Sequence, residues 1–324
     1  MRVLMTGGYG CIGSWVAKQL VDAGREVWIF DLKEDRHRLD LLLDEGERAR
    51  VHFGAGDVCA AGGVRGAVER LGITHVLHLA GLQVPVCRAD PMRGAAVNVL
   101  GTLAVFEAAK ALPELVRRVV YASSAAVHGR EGETMDAAVA DDAALSPTTH
   151  YGAFKVCNEL NARVYWQDHG IASIGLRPWT VYGVGRDFGV TSEPTKAIKA
   201  VAAGRTYHIT YGGMQDLQYV GDVAAAFTRA LDVPFEGAAA LNVRGEVVSI
   251  EAFVRAFEAA VPDARGKVTH GDRQLPIAPS LDDAGLQRVL GPMRPTPLRD
   301  GIGETYRRFA ALQSAGRLDL SDLT

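Results

Sequence analysis

Thr6-Gly7-Gly8-Tyr9-Gly10-Cys11-Ile12-Gly13 follows a short apolar run, Val3-Leu4-Met5, and leads into an amphipathic segment that ends near Gly24. Gly7, Gly10 and Gly13 at this spacing, between a strand and a helix, make a turn whose backbone can touch a pyrophosphate. The N–H groups at the helix start, those of Cys11 and Ile12 among them, supply the attraction together with the helix dipole. By itself the pattern also fits a tight turn with no ligand, so its meaning depends on what stands at the ends of the later strands.

Outward from this turn, strand and helix signals alternate. Residues 11–24 read as a helix and 26–31 as a second strand ending in Asp31. A third strand at 51–53 runs into Gly56-Asp57-Val58 and a helix to about Leu71. A fourth at 75–79 is followed by Ala80-Gly81, a loop and a long helix over about 92–112. A fifth strand spans 118–122, and after a polar loop come a helix over about 151–169 and a sixth strand near 171–176. Nearly continuous apolar strands separated by helices predict a Rossmann-type α/β fold, a doubly wound parallel sheet covered on both faces. Beyond Pro178 the alternation loosens: helices are predicted over 193–203, 221–231, 250–261 and 298–312, with one short strand at 241–243. That half reads as a smaller lobe over the carboxyl edge of the sheet, with residues 318–324 free to fray.

Composition narrows the partners. A chain of 324 residues, 48% hydrophobic, can bury a real core, and a net charge of −3 with dispersed Lys and Arg gives no footprint for nucleic acid or an acidic membrane. No run of about 18 apolar residues exists, and a strand begins at once, so neither membrane span nor signal peptide is expected and the expected location is cytoplasmic. Four separated cysteines (Cys11, Cys59, Cys87, Cys157) read as reduced thiols, and no metal site is expected.

Asp31, 18 residues after Gly13, can accept hydrogen bonds from ribose hydroxyls and would repel a 2′-phosphate, which favours NAD over NADP. Asp57 and Val58 are placed to reach the adenine. Leu79-Ala80-Gly81 offer small residues where a dinucleotide crosses the sheet edge. Singly, the two aspartates could be helix caps and Ala80-Gly81 plain packing; four successive strand ends with suitable residues point to a dinucleotide.

Tyr151 and Lys155, one helical turn apart, share a face and can share a site. A phenol of ordinary pKa about 10 is a poor base, but a nearby ammonium can lower it by roughly 1 to 3 units, and three units are worth about 4 kcal/mol. Lys155 can also hold the nicotinamide ribose, and Ser124, at the end of the fifth strand, can bond the reacting oxygen.

The chain resembles the extended short-chain dehydrogenase/reductases of the NAD-dependent epimerase/dehydratase family. The resemblance is carried by the glycine loop, Asp31, Asp57-Val58, Val97-Asn98-Val99-Leu100-Gly101-Thr102, Ser123-Ser124-Ala125-Ala126-Val127-His128-Gly129, Tyr151 with Lys155, Arg177-Pro178-Trp179-Thr180-Val181-Tyr182-Gly183 and, more weakly, Tyr219-Val220-Gly221-Asp222-Val223. It implies Ser124, Tyr151 and Lys155 as catalytic triad, Asn98 as support for the lysine, and Pro178 on a loop meeting nicotinamide and substrate. It also implies an NAD-binding domain of residues 1–178 with 219–244 returning to it, a substrate lobe of 179–218 and 245–324, and pairing into a homodimer through the helices that carry Asn98 and Tyr151.

Departures from the family pattern bear on the substrate. Ala125-Ala126 stands where dehydratases carry Asp-Glu, which disfavours dehydration. Gln215 stands where nucleotide-sugar enzymes often have an Arg for the pyrophosphate, and Thr180 where they commonly have Asn, so a nucleotide diphosphate loses a bidentate partner. His128 replaces the usual Tyr and reads as structural. Candidate substrate contacts are Gln83, Ser124, Ala125 and Thr180, with parts of 188–192; Arg186 and Arg88 could each meet a carboxylate or phosphate. Three functions follow: hydride transfer at a secondary alcohol of a sugar or nucleotide sugar, with epimerisation; NAD-dependent dehydrogenation of a smaller polyol, sugar or sugar acid with release of NADH; or a non-catalytic dinucleotide sensor, which the presence of Ser124, Tyr151 and Lys155 together disfavours.

Overall fold

The computed structural model describes residues 1–129, 138–275 and 280–323. Its strands are β1 (Val3–Thr6), β2 (Val27–Asp31), β3 (Val51–Ala55), β4 (His75–His78), β5 (Arg118–Ala122), β6 (Ser173–Arg177), β7 (Thr180–Tyr182), β8 (Tyr207–Ile209), β9 (Met214–Tyr219), β10 (Ala238–Asn242), β11 (Glu246–Ser249) and β12 (Val268–His270). Seven form one parallel sheet in the order β10-β6-β5-β4-β1-β2-β3. Alternation along each strand feeds two cores. Val3, Met5, Leu77 and Val120 join one, with the helices Cys11–Asp22 and Val220–Asp232, while Leu4, Val76, Val119 and Tyr121 join the other, with Gly63–Leu71 and Gly101–Ala111. The doubly wound sheet is therefore as the sequence predicts.

Strand order reverses between β1 and β4, and the crevice outside their carboxyl ends is where such sheets bind ligands. The glycine loop leaves β1 and Leu79-Ala80-Gly81 leaves β4, so the two predicted cofactor segments flank one switch point.

The C-terminal half holds more strand than the sequence predicts. β7, β9 and β11 make a three-stranded sheet, and β8 pairs in parallel with β12. The final turn is Ser321–Leu323, where Lys199 Nζ bonds Asp322 Oδ1 at 2.5 Å. All four cysteines are free thiols. Among the described residues, no helix is long and apolar enough to cross a membrane and no group of His, Cys, Asp or Glu could hold a metal.

Candidate active site

One cavity of about 510 Å³ runs along the carboxyl edge of the sheet. Its walls carry Gly7, Gly10, Cys11, Ile12 and Gly13 from the glycine loop, Leu79 and Gly81 after β4, Gln83, Ser124, Tyr151, Lys155 and Pro178. The helix Cys11–Asp22 begins at Gly10 in extended backbone, with no side chain capping it and no acid in its first turn. Its open N–H groups face the cavity, a donor set that fits a pyrophosphate. Gly7 has φ +67°, and a Cβ there would lie 2.5 Å from the Ala80 amide nitrogen, so only glycine brings β1's exit against β4's. Asp31 accepts from the Leu32 amide at 2.9 Å and also from the Tyr9 amide, which places the carboxylate against the glycine loop; burial pushes its pKa up.

Not every predicted contact reaches the wall. Asp57 Oδ1 is taken by the Cys59 amide at 2.8 Å, and Val58 is buried against Gly101. Ala80, Asn98, Ala125 and Thr180 also stand off the wall. Ala125 is buried, with Ala126 on the wall in its place. Thr180 is fully buried and donates to Gln215 Oε1 at 3.0 Å, so the two positions that depart from the nucleotide-sugar pattern face each other inside the fold. Asn98 lies in a π-helical turn, Ala96–Leu100, whose wider winding frees its carbonyl for Thr102 Oγ1 (2.7 Å) and Asn158 Nδ2 (2.8 Å). Its Nδ2 donates to the Gly94 and Leu82 carbonyls, and its Oδ1 is buried without a partner beside Gly81. His78, kept neutral by burial with its pKa down to about 3, bridges Thr6 (2.6 Å) and Thr102 (3.0 Å), and so ties β1 to that turn.

Tyr151 and Lys155 share a face of the helix His150–His169, capped by Thr149 at its start. Gly152 lets that first turn press on the Ser124–Val127 turn; a Cβ there would lie 2.4 Å from the Ala126 carbonyl. Lys155 Nζ lies 5.5 Å from the Tyr151 ring centroid and donates to the Ala122 carbonyl at 2.7 Å. Burial lowers the amine to about 8. It raises the Tyr151 phenol, with the Ser124 hydroxyl and the Arg186 charge pulling the other way. In the protein alone burial outweighs these two, and Lys155 is not among the groups that act on the phenol.

His128 is structural, within 3.1 Å of Asn242 Oδ1 and 3.3 Å of Arg177 Nη1. Sequence reading missed Ser123, Thr149, Trp179, Arg273 and Leu275, all on the wall. Ser123 Oγ donates to Glu159 at 2.5 Å, and Arg273 and Leu275 follow β12, in a stretch with no local signal.

A doubly wound sheet with an uncapped, glycine-lined helix start at its switch point defines a Rossmann-type dinucleotide-binding protein. A model of the NAD dependent epimerase/dehydratase family matches residues 3–244. The chain belongs to that family, its cofactor is NAD, and it is an enzyme of the NAD-dependent epimerase/dehydrogenase type. It is 29% identical to UDP-glucose 4-epimerase of Mycolicibacterium smegmatis, over 95% of this chain and 98% of that one. The solved UDP-glucose 4-epimerase of Thermus thermophilus in complex with NAD superposes with a TM-score of 0.80 at 29% identity, covering 95% and 99% of the two chains. A partial-consensus L-threonine 3-dehydrogenase, at 21% identity, shares the fold with a TM-score of 0.82 over 96% of this chain and all of that one.

Proposed function

We propose that the protein transfers hydride at a secondary alcohol of a sugar or nucleotide sugar, with Ser124, Tyr151 and Lys155 as catalytic residues. The supporting observation is that these three line the same cavity as the glycine loop. Tyr151 accepts the hydroxyl proton of the substrate, Ser124 holds the reacting oxygen, and Lys155 donates to the nicotinamide ribose while its charge favours the phenolate. NAD, when bound, supplies the hydride acceptor. The glycine loop holds its pyrophosphate, with Asp31 on the adenosine ribose, Leu79 and Gly81 on the wall where the dinucleotide crosses, Pro178 at the nicotinamide end, and Asp57, Val58, Ala80 and Asn98 shaping the site from behind the wall. Segments 179–218 and 245–324 form the substrate lobe, which supplies Arg186, Thr191, Arg273 and Leu275 to the facing wall.

A second reading, single oxidation of a smaller polyol, sugar or sugar acid with release of NADH, is favoured by buried Gln215: β9 presents no cation to the cavity for a nucleotide diphosphate. Stoichiometric NADH from a sugar panel supports dehydrogenation, and isomer formation from tightly held NAD supports epimerisation. Tyr151→Phe is expected to keep NAD affinity and lose turnover by at least about 100-fold; near-full turnover would remove Tyr151 as the base. Met92, Leu100, Leu160 and Val164 expose large apolar surface on the helical segments around Asn98 and Tyr151, and this supports a homodimer through that face.

A further inference from the structure

The cavity wall is chemically one-sided. Its described residues include four cations, Lys155, Arg88, Arg186 and Arg273, and no aspartate or glutamate, in a chain whose net charge is −3. Lys155 is engaged with the Ala122 carbonyl. Elsewhere the shielded cations are satisfied: Arg38 pairs with Asp187, Arg177 with Glu159 and Lys199 with Asp322, and buried Arg118 donates to the Ala230, Val233 and Phe235 carbonyls. Among the described residues, none of the three wall arginines pairs with a carboxylate.

Arg186 is the most telling of them. Its Nη2 donates to Thr191 Oγ1 at 3.0 Å, while its Nε is buried with no partner. The neighbouring acid, Asp187, is fully occupied by Arg38 in a bidentate pair at 2.7 and 2.9 Å, and Arg38 also grips the Gly185 carbonyl at 3.1 Å. Both flanks of Arg186 are therefore fixed and its guanidinium is left over. It lines the same cavity as Tyr151 and the glycine-loop residue Cys11, and its charge acts on both. An unpaired, half-buried guanidinium is costly unless a ligand pairs with it. The dinucleotide pyrophosphate already has the open helix start, so the missing anion belongs to the substrate. An anion held by Arg186 in the cavity that Tyr151 also lines suits a carboxylate on a small molecule better than a diphosphate a sugar ring away.

Resting on the active-site reading above, we propose that the substrate is a small sugar acid whose carboxylate is held by Arg186, the specificity-determining residue, with exposed Arg88 and Arg273 drawing the anion to the mouth. Calorimetric titration of the NAD-loaded protein tests this with D-galacturonate and D-gluconate against D-galactose and D-glucitol, galactose 1-phosphate and UDP-galactose. A carboxylate is expected to bind at least about tenfold more tightly than its neutral counterpart. Arg186→Met should lose about 10- to 100-fold in carboxylate affinity with NAD affinity unchanged, and Arg186→Lys should lose less. Tighter binding of the phosphate or UDP sugar, no preference for carboxylates over neutral counterparts, or an unchanged carboxylate affinity in Arg186→Met with NAD affinity intact would each overturn the proposal. Failure of the wild-type chain to bind NAD would instead sink the cofactor-site reading on which it rests.

Discussion

Replacing Glu159 by Gln removes one charge from a buried cluster directly behind the cavity wall. The side chains of Glu159 and Arg177 are 5% and 3% exposed, and their two contacts, 2.8 and 2.7 Å, are bidentate. The same carboxylate accepts from Ser123 Oγ, so three donors converge on it. A carboxamide keeps one oxygen and turns an N–H group toward a donor, leaving the Arg177 charge buried with only the Asp141 carbonyl (2.8 Å) and its His128 and Asn242 neighbours. Removing one partner of a buried pair costs about 3–5 kcal/mol, whereas replacing both by apolar residues is often far cheaper. Urea unfolding of Glu159→Gln, Arg177→Met and Glu159→Met/Arg177→Met reads both numbers, and the double variant is expected to cost at least about 2 kcal/mol less than the sum of the singles. Because Ser123 sits on the wall next to Ser124, folded Glu159→Gln should lose turnover while NAD affinity moves by less than about threefold. A cost for Glu159→Gln below about 1 kcal/mol, or strict additivity in the cycle, would refute the claim that the pair is locked as a unit.

Two other outcomes follow from the cavity wall. Burial lowers the Lys155 amine to about 8, so it is charged below that pH and neutral above. If the ammonium donates to the cofactor ribose, NAD affinity is expected to be flat from about pH 6 to 7.5 and to weaken by up to about tenfold per unit above 8; Lys155→Met should abolish that slope in a fluorescence titration. Gly7 and Gly62 have φ of +67° and +74°, but a Cβ at Gly62 meets nothing within 4 Å while one at Gly7 strikes the Ala80 backbone. Gly62→Ala should therefore cost about 1 kcal/mol and leave NAD affinity alone, and Gly7→Ala should weaken NAD by at least about tenfold. Equal NAD affinities in the two variants would show that the loop tolerates the displacement.

The first six strands were legible because each is short, apolar and followed by a residue type that a crevice requires. β1 through β6 fall within a few residues of their expected places, and Tyr151 and Lys155 lie on the predicted helix. β7, β8 and β12 are three-residue strands whose apolar residues carry no periodicity, and they form only through partners distant in sequence, such as Tyr207–Ile209 with Val268–His270. Thr180 shows a different limit. Its place in the family motif suggests a substrate contact, but side-chain direction is set by the β7–β9 pairing, which turns it onto Gln215. The phenol's raised pKa was illegible for the same kind of reason, since spacing gives the distance to Lys155 but not the desolvation of the whole pocket.

Arg38 joins the two halves of the cavity mechanically. Seven residues after Asp31, it donates to the Tyr9 carbonyl in the glycine loop at 3.1 Å and to Gly185 and Asp187 on the segment that carries Arg186. Its guanidinium therefore ties the glycine loop to the loop that carries Arg186. Four directional bonds from one half-buried planar group leave little freedom between these segments. A displacement of the glycine loop must reach Arg186 through residues 185–187, while the helix under Tyr151 is held independently by Glu159, Arg177 and the Asn98 turn. The helix that carries Tyr151 and Lys155 is thus anchored to the sheet, and the loop that carries Arg186 is anchored to the glycine loop. Substitutions in 188–192 can accordingly act on the Arg186 loop with the helix of Tyr151 and Lys155 left in place, whereas loss of Arg186 also removes a charge that lowers the Tyr151 phenol.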